Sequence, residues 1–392
     1  MMEQAQGRRA FLRSACRHCI GFGALGVGVE AFAQGMPATL PARFARPASD
    51  SDEGGLWAIM DREETRLRRS SFAVNDPALT AYLTALVCKV AGEHCPDVRV
   101  HVVRTPHFNA SMAPNGMMQV WTGLLLRVEN EAQLVAVLGH EMGHYLERHT
   151  LERLRDAKGK AAAATVLAVF GIAGALAGLG VAASMYSFSR EQEQQADRYG
   201  MKLLTAAGYD GREAARVWDN LIGELRITGG EDAGKRSALF ATHPPAANRR
   251  DDLLRLAGSG GGTLGDAELR AAIAPHRLEW MKDEVRRGQY EESLVLFGRM
   301  LARDAEDVQA LFARGEVYRL RDAPGDQELA LADLGRATSA LKAPADAFRS
   351  LGLLQRRRSD GVAAGAAFEK YLALAPESAD AALIKTYLIE KP

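Results

Sequence analysis

The stretch EAQLVAVLGHEMGHYLE, residues 131–147, contains the pattern His-Glu-x-x-His at positions 140–144. Its apolar residues recur at helical spacing with no proline among them, which predicts one amphipathic helix. Residues four apart lie on the same face of a helix, so His140 and His144 can both direct an imidazole at one metal ion. Glu141 then lies beside the ion, where it can take a proton from water. The alternative is a surface helix that carries two histidines by chance, and a third ligand decides between them.

A second segment, SREQEQQADRYG at 189–200, provides that ligand. Here the sequence resembles the gluzincin metallopeptidases of the HtpX and CAAX prenyl protease family, whose second motif helix carries Glu-x-x-Ala-Asp. The resemblance implies that Glu193 is the third ligand of one Zn²⁺ per chain, and that Asp197 orients the first histidine. Glu191 lies about 200° around the helix from Glu193, so only one of the two can face the metal. Glu193 is the preferred ligand.

The same family carries Thr-His-Pro followed by an arginine on the next helix, and His243 and Arg249 match those positions. The resemblance implies two alternative roles for His243. It stabilises the oxyanion during catalysis, or it occupies the fourth position of the zinc and holds the enzyme shut. Arg249 either supports the site or simply pairs with an acid of the motif helices.

The remaining histidines show no ligand spacing. His149 follows the motif helix by five residues, so we expect it to point away from the ion as a structural residue. No partner spacing is found for His94, His101, His107 or His276.

The N-terminus predicts export. The run GRRAFLR at 7–13 resembles a twin-arginine signal, and an apolar, glycine-rich stretch ending in Ala-Phe-Ala follows. Residues 1–33 are therefore predicted to be a cleaved signal peptide, with an uncleaved membrane anchor as the alternative. Residues 34–55 are rich in Pro, Ala and Ser and predict a linker. Export to the oxidising periplasm would allow Cys88 to pair with Cys95, although a free, buried Cys88 remains open.

Elements that could hold a substrate precede the motif helix. Helices are predicted at 56–69 and 77–91, a strand at 98–103 and a second strand at 117–122. Residues 109–113 are a candidate edge strand. In metallopeptidases of this architecture such a strand pairs with an extended peptide, so that main-chain hydrogen bonds hold the substrate. The alternative is an ordinary hairpin.

An apolar run at 161–184 is long enough to be a transmembrane helix. A single crossing is nevertheless excluded, because His144 precedes the run and Glu193 follows it, and both must bind one ion. The run must therefore turn back as a hairpin. Two interpretations stay open: a buried helical hairpin, or an exposed apolar patch that contacts a membrane peripherally.

The C-terminal third of the chain is predicted to be a separate helical domain. A glycine-rich linker at 258–264 leads into residues 265–392, whose spacing fits about three tetratricopeptide repeats. An unrelated helical bundle is the alternative. The repeat pattern depends on Phe348, Leu351, Gly352, Ala364, Phe368 and Pro376, with Leu311, Gly315 and Tyr318 one unit earlier.

The sequence thus predicts a mainly α protein: an α+β zincin-like zinc metallopeptidase domain at 56–257, followed by an α-solenoid. Its 392 residues carry 49 basic and 49 acidic side chains, so nothing indicates a nucleic-acid partner.

The resemblance implies a periplasmic endopeptidase acting on misfolded or misassembled envelope and outer-membrane proteins. Its repeats would bind clients or the outer-membrane assembly machinery. The first alternative is a chaperone or scaffold with a protease plugged by His243; a weaker one is an integral membrane protease using 161–184.

Overall fold

The computed structural model describes residues 42–156, 188–229, 243 and 248–389. These belong to one compact unit, Pro41–Pro392. The predicted signal peptide and the apolar run at 161–184 lie outside the described residues. Within the described ranges, no helix is both long and apolar enough to span a membrane.

The described chain is mainly helical and contains one small sheet, as the sequence predicts for the protease domain. The sheet has the order β1-β3-β2, with β1 (Arg99–Val103) parallel and β2 (Ala110–Met112) antiparallel to the central β3 (Met117–Trp121). The helices are α1 (Asp52–Arg68), α2 (Pro77–Ala91), α3 (Thr122–Arg127), α4 (Glu131–Leu146), α5 (His149–Asp156), α6 (Arg190–Ala206), α7 (Arg212–Gly229), α8 (Arg249–Ala257), α9 (Asp266–Arg286), α10 (Tyr290–Arg303), α11 (Val308–Arg321), α12 (Asp326–Ser339), α13 (Ala345–Arg357), α14 (Gly361–Leu374) and α15 (Ala381–Ile389).

Polar caps fix where the central helices begin. The carboxylate of Asp76 accepts hydrogen bonds from the first amides of α2, and Pro77 occupies its first turn. Asn130 caps α4 by accepting from the amide of Gln133 at 2.8 Å. Ser189 and Gln192 form a reciprocal capping box at the start of α6. The two helices that carry the metal motifs therefore start at defined residues.

Several boundaries differ from the sequence-based expectation by one to four residues, and two of these differences have a visible cause. Helix α1 begins at Asp52, inside the predicted linker 34–55, because Ser51 caps it and acidic residues fill its first turn. The predicted strand 117–122 ends one residue early, because the hydroxyl of Thr122 exchanges hydrogen bonds with the backbone of Thr105. Thr122 instead opens α3.

The motif helix α4 lies at the centre of the core, and all of its residues are buried. It packs closely against α6 through glycines of both helices. A Cβ atom on Gly200 would lie 2.8 Å from the backbone nitrogen of His140, and one on Gly143 would lie 2.9 Å from the Cα of Ala196. Only glycine permits this approach, which brings the side chains of α6 up to those of α4.

The helices from α9 onwards pack in sequence, each against its neighbour along the chain. The predicted linker 258–264 is held to the protease segment by backbone hydrogen bonds. The amide of Thr263 donates to the carbonyl of Gly208, and the amide of Ala132 donates to the carbonyl of Leu264. The glycine-rich segment is therefore part of the packed structure.

Candidate metal centre

Four potential ligands converge between α4, α6 and the segment before α8. They are His140 and His144 of α4, Glu193 of α6, and His243, and one ligand atom of each lies within 4.8 Å of the others. The two Nε2 atoms of the α4 histidines are 3.1 Å apart. All four side chains are buried, whereas Glu191, the competing carboxylate, is exposed.

Asp197 and Arg249 contact the ligand candidates His140 and Glu193. The carboxylate of Asp197 lies 2.9 Å from Nδ1 of His140, one helical turn from Glu193. The guanidinium of Arg249 donates to Asp197 at 2.7 Å and to Glu193 at 3.1 Å. It also stacks on the ring of Trp218, with 4.0 Å from Cζ to the ring centre. Arg249 thus pairs with two acids of α6, and its role in supporting the site stays a prediction.

His149 was expected to point away from the ion, and this expectation is wrong. Its Nδ1 lies 2.9 Å from Nδ1 of His144, and the residue is buried. Arg148 adopts φ 57°, which turns the chain back after α4, so the helical spacing used for the prediction does not apply. Phe188 was also missed: its ring stacks on His144 with centroids 3.8 Å apart. Neither contact has a local sequence signal, because that of His149 depends on the turn at Arg148 and Phe188 is distant from His144 in the sequence.

Burial and neighbouring charges shift the pKa values of the site residues. Burial alone would raise the pKa of Glu193, but His243 and Arg249 overcome it and hold that pKa well below its usual range. Burial likewise opposes the ionised form of Asp197, and the charge of Arg249 lowers its pKa instead. Burial lowers the pKa of His144 well below its ordinary value. The arrangement therefore favours ionised carboxylates beside a neutral imidazole, which is the state that binds a cation.

Glu141 differs from the other acids of the site. Burial raises its pKa, and its Oε1 has no hydrogen-bond partner among the described residues. Nε2 of His243 lies 3.5 Å from that oxygen. A buried carboxylate with an unused oxygen beside a group of metal ligands can accept a proton from a molecule bound there.

The donor set suits a divalent transition metal. Two imidazole nitrogens and a carboxylate oxygen match the ligand preferences of such ions. The Nε2 atoms of the α4 histidines lie 3.1 Å apart and face one place, while their Nδ1 atoms contact Asp197 and His149. The residues present therefore fit a bound metal ion.

The candidate substrate strand lies beside this group. β2 is at an edge of the described sheet, packs against α4, and its Met112 lines the same small cavity as His144. The flanking residues pair with β3, since the carbonyl of Asn109 accepts from Trp121 and the amide of Ala113 donates to Met117. The strand is thus paired with β3 on one side, and it also contacts the motif helix.

A His-Glu-x-x-His helix packed on a second helix that supplies a glutamate, below a small sheet, defines a metalloendopeptidase domain. Residues 74–257 match the model of peptidase family M48 and are a domain of that family. The family and hydrolase class expected from the motifs are therefore confirmed.

Several curated relatives share this domain. The beta-barrel assembly-enhancing protease of Escherichia coli (strain K12) is 27% identical over 230 residues, which are 55% of this chain and 46% of the relative. The mitochondrial metalloendopeptidase OMA1 of Arabidopsis thaliana is 35% identical over 150 residues, 38% of this chain and 30% of the relative. The chain thus spans less than half the length of these two relatives. The motifs of the sequence predict a resemblance to the first of them, and the comparison confirms it.

Proposed function

We propose that the protein is a zinc-dependent endopeptidase of the cell envelope that hydrolyses misfolded or misassembled envelope and outer-membrane proteins. The observation that carries this proposal is the spacing of the ligand atoms. A tetrahedral zinc ion with bonds of 2.0–2.2 Å separates its ligand atoms by about 3.3–3.6 Å. Nε2 of His140 and of His144 are 3.1 Å apart; the first lies 3.5 Å from Oε2 of Glu193, and the second lies 3.5 Å from Oε1 of the same carboxylate. The separations of these two imidazoles and one carboxylate are close to those of three ligands in a zinc site.

In this proposal His140, His144 and Glu193 hold the ion, which when bound supplies a Lewis acid for water and the peptide carbonyl. Glu141 takes a proton from the attacking water on its unpaired oxygen and delivers it to the leaving amine. Asp197 accepts from Nδ1–H of His140, which directs the lone pair of Nε2 at the metal position. His243, with its pKa raised by Glu193 and Glu141 despite burial, is placed to donate to the oxyanion.

We further propose that β2 binds the substrate as an added strand beside the motif helix. Main-chain pairing recognises any extended peptide, so this mode suits unfolded clients better than folded ones.

The name of the Escherichia coli relative connects that protein with beta-barrel assembly, and this supports an envelope client here. The disulfide between Cys88 and Cys95 supports an oxidising compartment such as the periplasm. The sequence left open whether Cys88 pairs with Cys95 or stays free, and the structure contains the disulfide.

The same proposal assigns α9–α15 to a stack of tetratricopeptide repeats that binds clients or the outer-membrane assembly machinery. Equivalent glycines of two successive units support it. A Cβ atom on Gly315 of α11 would lie 2.9 Å from Leu334 of α12, and one on Gly352 of α13 would lie 2.5 Å from Phe368 of α14. In both units the first helix uses glycine to admit a large side chain of the second, as a structural repeat requires.

A second candidate function is a chaperone or scaffold whose protease is latent. It is favoured by the position of His243, whose Nδ1 lies 2.9 Å from Glu193 and 3.2 Å from Nε2 of His140. At those distances the imidazole can fill the fourth corner of the metal site and exclude water.

Degradation of an unfolded model protein by the purified chain tests both functions. Glu141→Gln should abolish cleavage, by at least 100-fold, and leave one bound zinc, because the ligands are intact. His243→Ala should lower cleavage if this residue stabilises the oxyanion and raise it if the residue is a plug. Undiminished cleavage by the Glu141→Gln variant would refute the mechanism. If neither wild type nor His243→Ala cleaves, while both bind zinc and the unfolded chain, the scaffold function is supported.

A further inference from the structure

The contact between His144 and His149 is not explained by packing alone. The two Nδ1 atoms lie 2.9 Å apart, so one nitrogen must donate a proton and the other must accept it. Nε2 of His149 lies 2.9 Å from Oε1 of Gln195 on α6. These contacts form a chain that runs from the surface of α6 to a metal-ligand candidate.

Only one arrangement of protons along this chain leaves His144 able to bind a metal. The carbonyl oxygen of Gln195 accepts, so Nε2 of His149 carries the proton and its Nδ1 presents a lone pair. His144 must then donate from Nδ1, which leaves its Nε2 deprotonated and directed at the metal position. The opposite polarity would place a proton on Nε2 of His144 and abolish ligation.

We propose that His149 is a positioning residue that fixes the metal-binding tautomer and the ring orientation of His144. This inference rests on the metal site proposed above and adds a residue to it. His140 is oriented by an anion, Asp197, whereas His144 is oriented by a neutral imidazole that is itself oriented by Gln195. Phe188, stacked on the face of His144, restrains the ring plane while His149 restrains its rotation.

The turn at Arg148 makes this geometry available. Its positive φ ends α4 directly after the motif and starts α5 at His149, so the first side chain of α5 folds back on the last turn of α4. The position of Arg148 is held by a salt bridge to Glu53 and by stacking on Phe44. The backbone turn at Arg148 therefore places His149 beside His144.

The test measures zinc affinity of the full chain by competition with a chromophoric chelator, alongside thermal unfolding of the metal-free protein. His149→Leu removes the acceptor and should weaken zinc binding about 10- to 100-fold. His149→Asn places a carbonyl oxygen close to the former Nδ1, so it should stay within about threefold of wild type. His276→Ala is the matched control, because this histidine bonds to Asp76 outside the site and its loss should leave zinc affinity unchanged.

Gln195→Leu provides a second variant if His149→Leu does not fold. It alters an exposed residue and removes only the group that sets the tautomer of His149, so it should also weaken zinc binding. Wild-type affinity in His149→Leu, or equal losses in the Leu and Asn variants, would overturn the positioning role. His144→Ala separates this failure from a failure of the site itself: if it too keeps wild-type affinity, the ligand set proposed above is wrong.

Discussion

Glu64 on α1 is the clearest case of a single side chain whose ionisation is linked to folding. Its carboxylate accepts from the guanidinium of Arg99 at 2.6 and 2.8 Å and lies 2.9 Å from Nε2 of His101, both on β1. Burial favours the neutral acid, but the hydrogen bonds from His101 and Arg99 outweigh burial and lower the pKa of Glu64 from 4.5 to about 2. The ionised carboxylate thus ties α1 to the sheet.

This shift predicts the pH dependence of stability. Because the pKa is lower in the folded protein, Glu64 stabilises it fully above pH 4.5, and that contribution disappears as the pH falls toward 2. The full shift corresponds to about 3 kcal/mol, which solvent around the half-exposed Arg99 reduces to about 2 kcal/mol. Urea unfolding of wild type and Glu64→Gln should differ by that amount at pH 7 and progressively less from pH 4.5 to 3. A difference independent of pH would contradict the linkage.

The ligand candidates, together with Asp197 and Arg249, could be read from the sequence, whereas the contacts of His149 and Phe188 with His144 could not. His140 and His144 follow from helical spacing, which is a local rule. Glu193 required knowledge of a family motif as well. His149 was misjudged because helical spacing ceases to apply at Arg148, a non-glycine residue at positive φ that nothing in the neighbouring sequence indicates.

At the scale of elements, the close contact of α4 and α6 sets the distance between the two histidines and the glutamate. The backbone of Gly139 faces that of Gly200, and a Cβ atom there would lie 3.3 Å from the carbonyl oxygen of Gly200. Both helices are capped at their N-termini, and a change in their separation moves Glu193 relative to the α4 histidines. The metal site therefore depends on residues that carry no functional group.

Gly200→Ala should separate the two helices by a few tenths of an ångström, because its methyl group would meet the backbone of His140 at 2.8 Å. We expect a loss of about 1–3 kcal/mol in the free energy of unfolding and a parallel loss of about tenfold in zinc affinity. Gly223→Ala on α7 is the control, since its Cβ would meet nothing within 4 Å and helix propensity favours alanine. Urea unfolding and chelator competition measure both effects. Equal zinc affinity in the two variants would show that helix separation does not govern the site.

Element boundaries could be predicted where the capping residue is adjacent in the sequence. They could not be predicted where the residues that hold a segment are distant in the sequence. Pro77–Ala91 begins at the predicted residue because Asp76 and Pro77 are adjacent in sequence. Residues 42–51 carry no periodicity and were interpreted as linker. In the structure Arg43 pairs with Asp97 at 2.8 Å and Phe44 packs against His94 and Tyr145. Such contacts join residues that are far apart in the sequence, so no local pattern indicates them.

At the scale of the molecule, a buried ionic cluster joins the metallopeptidase domain to the helices that follow it. Arg127 of α3 donates to Glu224 of α7 at 2.7 Å and to Glu284 of α9 at 2.8 Å, and all three side chains are almost fully buried. The sequence predicts two domains separated by a glycine-rich linker. Whether they act independently depends on this cluster, whose members come from three distant segments and leave no sequence pattern.

Arg127→Ala should therefore do more than remove one ion pair. It removes the cation that Glu224 and Glu284 share and leaves them with Arg299 at 3.8 Å and Arg287 at 2.7 Å. We expect a cost of about 3 kcal/mol, the lower end for a broken buried pair, and a weaker contact of α9 with α3 and α7. We expect wild type to unfold in urea as one cooperative transition and the variant to unfold earlier, in two transitions, because the C-terminal helices no longer depend on the protease segment. Arg336→Ala is the control, since its exposed pair with Glu306 should contribute less than about 1 kcal/mol. A single transition with an unchanged midpoint in Arg127→Ala would mean that apolar packing alone couples the two parts, and the cluster would then have no role in holding the helices against the metal centre.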